Sequence, residues 1–330
     1  MKICLTTPNR FGQNGGLKLI NDFYKQLLLL GHDVYLMDEN AIKTHERILT
    51  PDGFRKHHWG LVICCSPHSI WTLYSTSVQR SIVWCQMAEH MWSKSRQFTE
   101  RCNRFYNHET VICNAQWLLE FIPKGKVCRT WLQEDFQQLN NRTKYDILLE
   151  SPFSKNPTKD SLALAYRAAL NLKEIYSDVR IAGYGRQHFA QKTINKYVVA
   201  PAHNTLEHLY SQSRLLFKAT KYDGASCSPI EAAKYGCVTV RALDKGDDWL
   251  TNENAYRCEY NEKEYFDLVE KAFIESRHDY YDSFATKQRL AKEFIKQWTF
   301  ENFINEFSRL TNIPELIGMV EWPCETDKNY

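Results

Sequence analysis

Apolar residues along this chain alternate between short runs and helical stripes. Lys2-Ile3-Cys4-Leu5 reads as a first strand, followed by a polar loop from Thr6 to Gly16. Leu17, Leu19, Ile20, Phe23, Leu27 and Leu30 then recur at helical spacing and stop at Gly31. Val34–Met37, Gly60–Cys65, Ser81–Gln86 and Thr110–Asn114 read as further strands, and the unbroken apolar run of the second fits a parallel strand buried on both faces. Residues 123 to 145 are polar and irregular, which puts a domain boundary near 140. The alternation then resumes, with strands at 146–150, 179–182, 197–200, 214–219 and 238–240. Helices are predicted over 160–176, from the Asn204-Thr205 cap to Tyr210, and over 262–275, 283–296 and 299–310. Phe300, Phe303, Ile304 and Phe307 give the last of these an apolar face. Two such sets predict an α/β protein of two facing Rossmann-like domains with an inter-domain cleft. The expected divisions are 1–140, 141–298 and 299–330.

Composition narrows the classes. A length of 330 residues suits two domains, and 43% hydrophobic content can build their cores. The net charge of +3 permits a phosphorylated or nucleic-acid partner without requiring one. Eleven cysteines, an odd number with no C-x-x-C pair, imply neither a zinc site nor a disulfide framework. Reduced thiols, and so a cytoplasmic location, are the simpler expectation. Met1–Leu5 runs directly into a strand rather than a signal peptide, and no apolar run is long enough to span a membrane. No G-x-G-x-x-G follows the first strand, which argues against a nicotinamide enzyme. No D-x-D or His/Asp cluster suggests a metal, so neither metal nor cofactor is expected.

The most informative stretch is Lys221–Val240. Asp223-Gly224 marks a turn, Pro229 and Gly236 fall near the start and end of a short helix, and Val238-Thr239-Val240 is a strand. The turn and the helix start offer backbone N–H groups to an anion or polar ligand. Asp223 and Glu231, eight residues apart, can both face one polyhydroxylated ligand, although that spacing alone also suits an ordinary strand–helix–strand connection. Gly15-Gly16 at the first helix start would let a phosphate or sugar approach the backbone, or would simply make a tight turn. Glu89 and His90 follow a strand at its carboxyl end, where ligands bind in open α/β sheets. Phe54–Trp59 and Trp92–Arg96, the latter followed by Arg101 and Arg104, interleave cations with aromatic rings. Such runs bind nucleic acid or, more commonly, form a solvated face.

The stretch D-G-A-S-C-S-P-I-E-A-A-K-Y-G-C-V-T-V resembles the donor-site motif of retaining GT-B glycosyltransferases, particularly glycosyltransferase family 4, roughly E-G-F-G-x-x-x-x-E-A-M-A-x-G-x-P-V-V. Glu231, Ala232 and Gly236 match; Asp223 stands for Glu, and Gly224-Ala225-Ser226 replaces Gly-Phe-Gly. The opening of the chain, with Gly15-Gly16 and Gly31-His32-Asp33-Val34, is similar to that of the family too. The resemblance implies a nucleotide-sugar donor gripped by the 141–298 domain, an acceptor-side domain before it, and a C-terminal helix crossing back to the first domain. Glu231 would hold the ribose hydroxyls and Asp223 the donor sugar. The amides of Gly224, Ala225, Ser226, Cys227 and Ser228 would stabilise sugar or phosphate. Lys155 would neutralise the diphosphate. The partner Arg expected five residues earlier is replaced by Glu150, which leaves its task to Ser154, the loop amides or Arg186. His90 or Glu89 would face the reacting sugar. The implied reaction is metal-independent transfer with retention to an acceptor hydroxyl, on a saccharide or glycolipid or on hydroxymethylated bases of phage DNA, the last in a host cytoplasm. A non-catalytic sugar-nucleotide-binding protein and a sugar-nucleotide epimerase are the alternatives.

Overall fold

The protein is described by a computed structural model covering residues 1–8, 15–74, 77–86, 95–132, 143–150, 162–185, 193–199, 201–224, 226–278 and 282–318. The chain divides into two units. The first takes Met1–Asn114, Leu118–Thr130 and the segment beginning at Phe300; the second takes Ala115–Trp117 and Trp131–Thr299.

In the first unit β1 (Lys2–Thr7), α1 (Gly15–Leu29), β2 (Asp33–Asp38), β3 (Ile48–Leu49), α2 (Pro51–Arg55), β4 (Trp59–Cys64), β5 (Val78–Cys85), α3 (Arg96–Tyr106), β6 (Val111–Cys113) and β7 (Lys126–Val127) follow one another. Their strands form a sheet in the order β3-β2-β1-β4-β5-β6-β7, paired in parallel throughout. In the second unit the elements are β8 (Tyr145–Glu150), α4 (Leu162–Ile175), β9 (Ile181–Gly185), β10 (Lys196–Val199), α5 (His203–Ser211), β11 (Ser213–Ala219), α6 (Cys227–Lys234), β12 (Val238–Ala242), β13 (Tyr256–Cys258), α7 (Glu262–Arg277) and α8 (Asp282–Ile295). This sheet has the order β10-β9-β8-β11-β12-β13 and is also parallel. Both are Rossmann-like, as the alternating sequence pattern predicts.

Strand alternation explains the unbroken apolar runs. Ile147, Leu149, Leu215, Phe217, Val238 and Val240 pack on one face of the second sheet with α4 and α7 residues such as Ala165, Ala169, Val269 and Phe273. Leu148 and Leu216 pack on the other face with Leu209 and Tyr210 of α5 and Ala232 of α6. β8 and β11 are thus apolar on both faces at their centres, which is why they show no polar alternation there. α6 begins two residues ahead of Pro229, whose missing N–H is harmless in the first turn. It stops before Gly236, whose φ of 77° is the left-handed conformation that closes a helix.

The last helix, α9 (Phe300–Thr311), belongs to the first unit. Its Phe300, Phe303 and Phe307 surround Phe23 of α1, with ring centroids 6.1, 5.3 and 5.6 Å away. Phe303 also meets Trp84 of β5 at 5.8 Å. A 3-10 turn at Pro314–Ile317 follows, and the buried His32 ring donates from Nε2 to the Leu316 carbonyl at 3.0 Å. Phe303→Ala is therefore expected to cost about 3–5 kcal/mol, the usual range for a buried phenylalanine. Urea unfolding read by hydrogen-exchange protection of β1 and β5 checks this; unchanged protection there would show that α9 is not part of that core.

Candidate functional site

In the second sheet β8 and β11 are neighbours, but the chain moves outward from β8 to β9 on one side and from β11 to β12 on the other. A parallel sheet opens a ligand crevice at the carboxyl ends of its strands where the order reverses in this way. Three charged side chains reach that edge. Glu150 ends β8, Lys218 is the penultimate residue of β11 and Arg241 that of β12. Alternation puts all three on the α5–α6 face, continuing Leu148 and Leu216. Register puts them side by side, with Leu149 opposite Phe217 and Lys218 opposite Arg241.

Burying two adjacent cations requires acids, and the loops supply them. Lys218 Nζ lies 2.9 Å from Glu150 Oε2 and 3.4 Å from Asp223 Oδ2, and it donates to Ser228 Oγ at 2.8 Å. Burial works against its charge, but Glu150 and then Asp223 outweigh that and hold its pKa above the ordinary lysine value. Arg241 Nη2 reaches Asp223 Oδ2 at 3.3 Å and Asp247 Oδ2 at 3.0 Å, with both Arg241 and Asp247 wholly buried. Burial pushes the Asp247 carboxyl up, to about 6; Arg241 opposes the rise and Asp223 adds to it.

The same ions join two loops. The Asp223 N–H donates to the Lys245 carbonyl at 3.0 Å, the Asp247 N–H to the Gly224 carbonyl at 3.3 Å, and the Ser226 N–H to Asp247 Oδ1 at 2.8 Å. Gly246, with φ of 119°, lies so close that a Cβ there would come within 2.0 Å of the Asp223 carbonyl oxygen. Only glycine fits this approach. Ser226 is the N-cap of α6, yet its hydroxyl donates to Asp223 Oδ2, leaving the helix start without a side-chain cap. Ser228 and Glu231, three residues apart on α6, share a face. Ser228 Oγ donates to Glu150 Oε2 at 2.9 Å. Glu231 is buried. Nearby, the Tyr184 and Tyr210 hydroxyls lie 2.9 Å apart. Burial, then the charge of Glu150, with Glu231 contributing, keeps the Tyr184 phenol well above the usual tyrosine value.

Among the residues singled out from sequence, Asp223, Gly224, Ser226, Cys227, Ser228 and Glu231 therefore fall on one loop and helix start at the sheet's carboxyl edge. Gly15 and Gly16 open α1 in the first unit. Glu89, His90, Ser154, Lys155, Arg186 and Ala225 lie outside the described residues, as does Trp92–Lys94. The Phe54–Trp59 run is not a stacking platform: Phe54 and Trp59 are core residues stacked on each other at 5.3 Å. The run ends α2 and starts β4, and Arg55 folds over the Trp71 ring at 4.8 Å. Lys218, Arg241 and Asp247 were missed by the sequence reading. Their signal is a cation near the carboxyl end of each of two buried parallel strands, which demands buried counter-charges.

No family model matches the sequence, and no curated protein matches it in sequence either. Solved structures do match in shape. Sucrose-phosphate synthase from Thermosynechococcus elongatus is similar with a TM-score of 0.73 at 12% identity, over 94% of this chain and 98% of that one. Anabaena HepE in complex with UDP and glucose is similar with a TM-score of 0.68 at 13% identity, over 94% and 98%. An α-glucosyltransferase in complex with UDP and a 13-mer DNA containing an HMU base is similar with a TM-score of 0.60 at 10% identity, over 94% and 99%. At these identities the likeness establishes the fold, the GT-B type of α/β protein built from two Rossmann-like units.

The buried Asp247 carboxyl sets a pH dependence whose sign can be worked out. Its folded pKa of about 6 lies above the ordinary 3.8, so between those values the folded state holds more protons than the unfolded one. Asp247 thus favours folding most on the acid side, and that contribution is lost as pH rises through this window. Comparing wild type with Asp247→Asn by urea unfolding at about pH 4, 5, 6 and 7 isolates the group. The wild-type stability relative to the variant is expected to fall with pH, and a difference that rises over this range would contradict the assignment.

Proposed function

We propose that the chain is a nucleotide-sugar-dependent glycosyltransferase that moves a sugar, with retention, onto an acceptor hydroxyl. The observation that carries this reading is the start of α6, uncapped by a side chain and set at the sheet's reversal point with the buried Glu231 one turn on. Glu231 takes the ribose hydroxyls. Asp223, held by Ser226 and Arg241, shapes the turn that leads into α6, and the helix start beyond that turn receives sugar and phosphate. Lys155, Ser154 and Arg186 attend the diphosphate, Gly15 and Gly16 give it backbone access, and His90 or Glu89 faces the reacting carbon. The anomeric carbon–phosphate oxygen bond breaks as the acceptor oxygen bonds to the same face, and the acceptor proton passes to the departing phosphate. Such electrostatic stabilisation of the leaving group is worth about 3–4 kcal/mol for one well-placed donor. The UDP in the HepE and α-glucosyltransferase complexes supports a nucleotide-sugar donor.

The test is a thermal-shift screen of UDP-, GDP- and ADP-sugars, with turnover read as released nucleoside diphosphate. Losing the charged contact to the ribose in Glu231→Ala is expected to weaken donor binding by about 10- to 100-fold. An unchanged shift would remove Glu231 from the site. Donor binding without any released nucleotide would favour a binding protein, and sugar interconversion without acceptor would favour an epimerase.

The DNA-bound α-glucosyltransferase supports hydroxymethylated DNA bases as the acceptor. Arg96 and Arg104, exposed on α3, are cations suited to phosphate contacts. Affinity for a hydroxymethylated duplex is then expected to fall steeply between about 50 and about 200 mM salt, and a flat salt response would exclude this acceptor.

A further inference from the structure

Three acids serve the two buried cations at the sheet edge, and they are not equivalent. Asp223 lies between Lys218 and Arg241, 3.4 Å from the first and 3.3 Å from the second. Asp247 is wholly buried against Arg241 and is tied to the Ser226 amide. Glu150 touches Lys218 alone of the two, at 2.9 Å, and its side chain keeps 27% of its exposure against 10% for Asp223 and none for Asp247. Withdrawing Glu150 would leave Lys218 with Asp223, and Arg241 with both Asp223 and Asp247. Each cation would still have a carboxylate, and the five charges would go from a net −1 to zero. Glu150 is thus the one acid the cluster can exchange.

Its seat has the chemistry of an oxyanion site. The carboxylate is held by the Lys218 ammonium and the Ser228 hydroxyl, at the start of a helix that has no side-chain cap. Lys218 is itself only 5% exposed, so its ammonium, aimed at Ser228 Oγ and Glu150, is a fixed donor rather than a mobile surface charge. A phosphate oxygen can accept from the same two donors with the same sign of charge.

We propose that the Glu150 carboxylate is a built-in occupant of a phosphate seat formed by Lys218 and Ser228, and that it swings out when the diphosphate of an incoming ligand takes its place. The inference deepens the donor-binding reading and rests on it: Lys218, from the neighbouring strand, supplies the cation that the carboxyl end of β8 lacks. Exchange of one anion for another lets the cation remain buried and paired whether or not ligand is bound. It also makes affinity depend on how readily Glu150 leaves.

Calorimetric titration of the full chain with inorganic pyrophosphate, and separately with UDP, tests this. In Glu150→Gln the competing charge is gone, and pyrophosphate is expected to bind roughly tenfold tighter or more, with the gain abolished in Glu150→Gln/Lys218→Gln. Unchanged or weaker binding in the single variant, or a gain that survives in the double variant, overturns the proposal. A crystal structure of the wild type soaked in pyrophosphate tests it without any substitution. The anion on Lys218 Nζ and Ser228 Oγ with Glu150 displaced supports the exchange; Glu150 still on Lys218 with pyrophosphate elsewhere overturns it. The two readings fail separately. Pyrophosphate exchange in a chain that consumes no nucleotide sugar keeps the seat and ends the donor assignment. Sugar transfer with no gain in Glu150→Gln ends the exchange alone.

Discussion

Two positive charges buried side by side constrain the second unit more than any other feature. Lys218 and Arg241 are in register on adjacent strands, and neither can be desolvated without a carboxylate against it. Sheet geometry fixes the cations, so the acids must come to them. The loops after β11 and β12 are drawn in to deliver Asp223 and Asp247, and once there they bond to each other through their backbones. The close approach at Gly246 follows from this arrangement. The loops thus take their course from an electrostatic requirement rather than from a hydrophobic one, at the sheet edge where ligands are received.

The same requirement accounts for the helix start. A serine at an N-cap ordinarily satisfies the helix amides, but here Ser226 turns its hydroxyl to Asp223 instead. The start of α6 therefore lacks a side-chain cap because its natural cap serves the ion cluster. Glu231 and Ser228, on one face of that helix, sit among buried tyrosine hydroxyls and the Glu150 carboxylate. Polar groups are concentrated where the apolar layer of Leu148, Leu216 and Ala232 gives out.

The parts of this arrangement that could be read from the residues are those encoded locally. The stripe from Leu17 to Leu30, the apolar runs of the central strands and the turn–helix–strand string ending at Val240 all carry their own period, and they appear as α1, the parallel sheets and α6–β12. Of the elements left out, β3, α2, β7 and β13 are short and owe their form to neighbours, whereas α3 does carry a stripe, Phe98, Cys102, Phe105 and Tyr106, set among cations that draw the eye to its charge. The Phe54–Trp59 run misleads because composition does not say which way a ring points; its aromatics go inward and only its cations go out. The ion cluster was missed for a related reason. Lys218 and Arg241 are 23 residues apart in sequence and become neighbours only through strand register. Asp223 was legible as a site residue from its motif, but its hold on Arg241 needed the third dimension.

The return of the final helix to the first unit also bears on biosynthesis. Phe23 and Trp84 are completed by Phe300, Phe303 and Phe307, which leave the ribosome only after the whole second unit has been made. At ordinary elongation rates that interval is roughly 10 to 40 s. During it the nascent first unit carries an open aromatic groove, and a chain truncated before residue 300 would carry it permanently. Emergence of α9, rather than of the first sheet, is the event that lets the N-terminal half finish folding.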